Sequence, residues 1–174
     1  MKIRIKSQSN LHKFAFTLTE MMIAIIIIGV LVAIAVPNFA RVREKARIEK
    51  AKADLEILAA AIRQLAWDTG KWPGGIDRHI RQNAETWDLS TPAAGIIAAD
   101  DRFPGWKGPY APCIPLDPWG SKYFFDPDYY VSGRVYAVVG SFGPNKRGPN
   151  LYDSDDIYVI LKTESGGSGG PSSP

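Results

Sequence analysis

Residues 21–36 form an unbroken apolar run, and across residues 16–36 the only charge is Glu20. A helix over residues 16–40 would be about 37 Å long at 1.5 Å per residue, enough to cross a hydrocarbon core of about 30 Å. Ile23, Ile25, Ile26, Ile27, Ile28, Val30, Val32 and Ile34 are β-branched. Such residues are poor helix formers in water, but lipid leaves the backbone no other way to satisfy its polar groups. Beyond Pro37 the pattern becomes amphipathic. Ile48, Ala51, Leu55, Leu58, Ile62 and Leu65 recur at intervals of 3, 4, 3, 4 and 3, with Lys50, Lys52, Asp54, Glu56 and Arg63 off that line. This is one helical stripe, expected to pack on the protein's own sheet rather than in a coiled coil. Gly29 and Pro37 weaken the helix locally. Thr69-Gly70 ends it and Trp72-Pro73 blocks its continuation.

Residues 74–116 are rich in Gly, Pro and Ala. They read as a loop region with one short helix between Arg78 and Leu89, anchored to the long helix by Trp87, Trp106 and Tyr110. The Asp117-Pro118 and Trp119-Gly120 pairs suit a tight turn, because proline presets φ and glycine accepts a positive one. Residues 122–125, 134–139 and 157–161 are β-rich and bounded by turn formers. The predicted fold class is therefore α+β: a long N-terminal helix packed on a small, about three-stranded antiparallel sheet. Residues 165–174 contain only Gly, Ser and Pro and read as a flexible tail.

Composition changes this picture little. The net charge is +3, but Lys2, Arg4, Lys6 and Lys13 lie in the first 15 residues, which have no acid. Without them 17 basic residues face 18 acidic ones, so no nucleic-acid partner is expected. The flanks of the apolar run are basic on both sides, so charge alone does not orient it. Cys113, the one cysteine, excludes an internal disulfide and reads as a small buried residue, with an exposed thiol or intermolecular pairing as alternatives. His79 is the one histidine beyond His12 of the first 15 residues, and there is no CxxC and no Gly-rich phosphate loop. The chain is not expected to be an enzyme.

The apolar run admits three readings: a plain signal anchor, a secretory signal cut after Ala33-Ile34-Ala35, or a leader that ends between Ala15 and Phe16. Phe16-Thr-Leu-Thr-Glu20, the run that follows, and Pro37-Asn38-Phe39 closely resemble the N-terminus of type IV pilins and pseudopilins. The resemblance implies cleavage by a prepilin peptidase before Phe16 and N-methylation of the new Phe16 amine. Ala15 stands where that family usually has glycine. It also implies that Glu20 pairs with the terminal amine of a neighbouring subunit and so sets the register of a helical homopolymer. A carboxylate in lipid costs about 2.5–3.5 kcal/mol and should find a partner; snorkelling into headgroups is the alternative.

A second block, Trp106-Lys-Gly-Pro-Tyr110 with Pro115-Leu-Asp-Pro-Trp-Gly120 and Tyr123, resembles the major, G-type pseudopilin of type II secretion. Gly140-Ser-Phe-Gly-Pro-Asn145 and Asp153-Ser-Asp-Asp156 complete it. The resemblance implies a Ca²⁺ held between the last strands, with Ser141, Asn145, Asp153, Asp155 and Asp156 at the matching positions. Oxygen donors from two sides of a loop suit that ion. Asn145-Lys146 replaces the family's Asp-Gly, and Pro144 and Pro149 also alter the loop. The alternative is an acidic turn whose carboxylates are solvated or cap backbone amides. The implied organisation is a leader (residues 1–15), a transmembrane and polymerisation helix (16–40), a periplasmic domain (41–164) and the tail (165–174). The implied function is a structural subunit of a periplasmic filament that drives type II secretion, stored in the inner membrane with its leader cytoplasmic. Prepilin peptidase, the inner-membrane assembly platform, minor pseudopilins, membrane lipid and the chain itself are the implied partners. A pilin of a surface filament for adhesion, motility or DNA uptake is the runner-up, and a tethered binding or enzymatic domain the third class.

Overall fold

A computed structural model describes residues 16–79, 82–151 and 153–161. The leader with Ala15, and the tail, lie outside the described residues. Helix α1 spans Leu18–Thr69, followed by strands β1 (Lys71–Trp72) and β2 (Ile76–Asp77), then β3 (Phe124–Val131), β4 (Arg134–Ser141) and β5 (Ile157–Ile160). The chain divides into two compact units at Arg43 and Glu44.

The first unit is the apolar part of α1. Its described side chains are exposed, Leu18 at 81% and Ile34 at 61%, and no part of the most apolar window is covered by protein. By length and composition this helix can cross a membrane. The helical backbone continues through Pro37, and Asn38 Nδ2 donates to the Ile34 carbonyl at 3.3 Å.

The second unit is built on the amphipathic stripe. Ala51, Leu55, Leu58, Ile62 and Leu65 are all buried. Leu55, Leu58, Ile62 and Leu65 share one cluster with Trp72, Ile76, Tyr123, Phe125, Val139 and Leu161. Gly70, at φ +70°, closes the helix by donating to the Ala66 carbonyl at 3.0 Å. Beyond it β1 and β2 form a two-residue antiparallel ladder around a 3₁₀ turn at Pro73–Gly75.

The main sheet is antiparallel in the order β3-β4-β5. Successive residues alternate between its faces: Phe125 and Val139 join the helix-facing core, whereas Phe124 and Val138 join a second cluster with Tyr129. Ser132 and Gly133 turn β3 into β4 with φ of 48° and 83°, the two positive values a tight hairpin needs. Gly140 is opposite Phe124, and a Cβ there would lie 2.5 Å from the Phe124 ring, so the glycine lets that ring cross β4.

Four sequence expectations change. Residues 82–89 contain no helix; Thr86 instead exchanges two backbone hydrogen bonds with Phe125, at 2.8 and 2.9 Å, along the outer edge of β3. Trp87 accordingly packs on Phe124 and Phe142 across the sheet from α1, while Trp106 and Tyr110 do lie against the helix-facing core. Cys113 is exposed. The first long strand also starts later and runs further than expected. It passes through Asp126-Pro127-Asp128 by means of a bulge between Asp126 and Tyr129, where Pro127 has no N–H to lose.

The two faces of α1 in this unit make a direct test. Ile62→Ala, in the core, should cost about 2–5 kcal/mol. Ile57→Ala, at a position 66% exposed, should change stability by less than about 0.5 kcal/mol. Chemical denaturation of the two variants measures both.

Candidate functional site

The N-terminal site begins at Phe16, which is exposed, just before α1. Thr17 and Glu20 close a reciprocal capping box. Glu20 N donates to Thr17 Oγ1 at 3.2 Å, and Glu20 Oε2 accepts from Thr17 N and Thr17 Oγ1, both at 2.8 Å. The sequence signal was present, since Thr17-Leu-Thr-Glu20 has the spacing of such a box ahead of an apolar run. Glu20 therefore has a local partner within its own chain. Among the described residues its other oxygen, Oε1, accepts nothing, so the carboxylate keeps one face for a further donor. A negative charge in the first turn is also favoured by the helix dipole.

The acidic loop joins β4 to β5. Gly143, at φ +64°, lies so close to Asp155 that a Cβ would sit 2.0 Å from the Asp155 carbonyl oxygen. That approach brings the two halves of the loop together. Asn145 Nδ2 donates to Asp153 Oδ2 at 2.8 Å, and Asp153 Oδ1 accepts from Asp155 N at 2.9 Å. Asp156 turns inward, where its Oδ2 accepts from the Tyr129 hydroxyl at 2.8 Å. Its Oδ1 is buried without a hydrogen-bond partner. Burial pushes the Asp156 carboxyl above the ordinary carboxylate range, and the charges of Asp153 and Asp155 add to this against the Tyr129 hydrogen bond.

An orphaned buried oxygen beside two further carboxylates is a donor set that fits a hard cation. Ser141 stands apart: its hydroxyl is buried and donates to Asp117 Oδ2 at 2.6 Å, while accepting from Gly143 N at 3.1 Å. Thus the structure joins Asn145 to Asp153, holds Asp155 and Asp156 in the same turn, and ties Ser141 to Asp117.

Asp117 was not singled out from the sequence, although Asp-Pro-Trp-Gly was. It is 4% exposed, and its Oδ1 accepts from Trp119 N at 3.0 Å and Ser121 N at 2.7 Å. The turn so fixed aims Trp119 Nε1 at Glu44 Oε1, 2.8 Å away on α1. One buried carboxylate therefore joins the end of β4 to the turn that contacts the helix.

A pilin-like assembly subunit is the class that this architecture defines: a helix with an exposed apolar N-terminal part, an acid in its first turn, and a small antiparallel sheet on its C-terminal part. The prokaryotic N-terminal methylation motif matches residues 11–36, and the family described as type II secretion system (T2SS), protein G, matches residues 38–157. The chain belongs to this protein G family. It is 28% identical over 88% of its length to a type II secretion system core protein G of Xanthomonas campestris pv. campestris, covering 94% of that protein. Core protein G of Klebsiella pneumoniae is 35% identical over 62% of this chain and 70% of its own length, and that of Escherichia coli K12 34% over 62% and 68%. No solved structure gives a significant match. The chain's role is that of a pseudopilin, a structural subunit in type II secretion.

The raised Asp156 carboxyl gives a pH test. The native state keeps this proton to higher pH than the unfolded chain does. The group's contribution to stability therefore falls as pH rises from the ordinary aspartate value of about 3.9 through the raised one. Thermal melts without added metal should show Asp156→Asn with a higher Tm at neutral pH and a flatter decline across that window.

Proposed function

We propose that this pseudopilin is stored in the inner membrane by α1 and polymerises into a periplasmic filament through its processed N-terminus. The observation that carries the reading is the Thr17–Glu20 box, which fixes the carboxylate in the first turn and leaves Oε1 for a second donor. Prepilin peptidase would cut between Ala15 and Phe16 and methylate Phe16, leaving an N-methylated amine at the new terminus. Glu20 Oε1 of one subunit would accept from the Phe16 amine of the next, so that each subunit neutralises its neighbour and the stagger between them is fixed. Growth would be organised by the inner-membrane assembly platform and minor pseudopilins, with the leader cytoplasmic and the second unit periplasmic. Catalysis has no part in this role.

Calcium is the cofactor we assign to the acidic loop. Asp153, Asp155 and Asp156, with Asn145, would hold it, and the buried Asp156 Oδ1 supports that choice. Bound there, Ca²⁺ supplies positive charge to three carboxylates crowded by the loop's close crossing. The Ser141–Asp117 bond supports an anchoring role for Ser141 rather than ligation.

Intact mass and fragmentation of the mature chain should show a methylated Phe16 at its terminus; a start at Val36 would mean ordinary signal cleavage instead. Glu20→Ala should insert into membranes normally yet fail to enter filaments, and wild-type filaments from it would sink the assembly role. Titration of the full chain in detergent with Ca²⁺ should release or absorb heat and raise Tm, and Asp156→Ala should abolish both responses.

A further inference from the structure

Helix α1 carries a second uncharged row that the domain does not use. Ala53, Ile57, Ala60, Gln64 and Trp67 are all exposed, Ile57 at 66% and Trp67 at 68%. Each lies two positions after a core residue, Ala51, Leu55, Leu58, Ile62 and Leu65 respectively, and so about 200° round the helix from it. A surface helix ordinarily carries its charges opposite its core face. Here Lys52, Glu56 and Arg63 flank the row instead, and Trp67 at its end is a large side chain of the kind that anchors interfaces. Arg63, one turn before Trp67, has no ion-pair partner among the described residues.

A cleft of about 440 Å³ lies elsewhere on the same unit, walled by Ile76, Ala84, Trp87 and Ala93. Arg102 and Asp88 at this cleft are already paired, with Asp100 and Lys122. Glu85 on its wall has no basic partner among the described residues, and its carboxylate converges with those of Asp126 and Asp128 within 4.8 Å. The knob with an unpaired cation and the cleft with an acidic edge are different patches of one surface. When such patches meet between copies the contact is head-to-tail, and it propagates as an open chain rather than closing a dimer.

We infer that Trp67 of one subunit seats in the Ile76–Trp87 cleft of a second copy, with Arg63 facing its Glu85. This rests on the reading that the chain polymerises, and it names a contact between folded units, separate from that of Glu20.

Two tagged full-length copies, one Trp67→Cys and one Ala84→Cys, each also Cys113→Ser, are to be produced together and oxidised in membranes during filament growth. A disulfide between the two different copies is expected. Cross-links between two Trp67→Cys copies, or none while filaments form, would overturn the inference, as would shielding of Trp67 by added lipid vesicles alone. Trp67→Ala and Arg63→Glu should each lower filament recovery about tenfold with Tm unchanged, and Glu85→Arg should restore the Arg63→Glu variant. Wild-type recovery from Trp67→Ala would overturn this contact and leave the pseudopilin role standing. The Glu20 contact is tested separately, and it fails if Glu20→Ala still builds filaments.

Discussion

The row of Leu55, Leu58, Ile62 and Leu65 against Tyr123, Phe125 and Val139 is the contact on which the folded unit depends. Without α1 the helix-facing side of the sheet, Phe125 and Val139 included, would meet water, and such an apolar face must be buried against another element. Tyr123 shows how closely the two are fitted. Fully buried, it packs with the helix row and still sends its hydroxyl to Asp54 Oδ2 at 3.0 Å. Burial, with Asp54 beside it, raises the phenol's pKa so far that it remains a donor at any ordinary pH. The other end of the helix is fixed in the same way. Asp68 accepts from the Tyr110 hydroxyl at 3.1 Å and pairs with Lys107, so a loop residue and the last turn of α1 hold one another.

Periodicity made the long elements legible. The 3-4 spacing located the buried face of α1, and Gly70 marked its end, because both signals are local and the tertiary structure does not oppose them. The strands were also visible, but Asp126-Pro127-Asp128 hid half of β3. A proline inside a strand is tolerated only where a bulge removes the need for its hydrogen bond, and register is not written in local sequence. The segment around Thr86 was misjudged for a related reason. Its conformation comes from the exposed edge of β3, a partner some forty residues away in the chain. Cys113 followed its residue type in expectation and its loop in fact.

The candidate site was legible in part. Phe16 and Glu20 stood out because a carboxylate beside an apolar run demands an explanation, and the box formed with Thr17 supplies part of it. Asn145 and Asp153 of the loop are hydrogen-bonded, and Asp155 and Asp156 share its turn. Their geometry depends on Gly143 meeting the Asp155 carbonyl, a main-chain contact no composition reveals. Ser141 was grouped with them by position, whereas its hydroxyl is committed to Asp117, a residue noticed only as part of a turn. Most buried polar groups are paired, and which pairs form is decided by the fold.

The Trp119–Glu44 bond has a practical consequence. Glu44 is the first residue of the folded unit, and the indole that binds it is 9% exposed. Losing that carboxylate neighbour, or admitting water, would change the indole's emission. With the other four tryptophans replaced by phenylalanine, that indole would follow the docking of helix and turn without any added label.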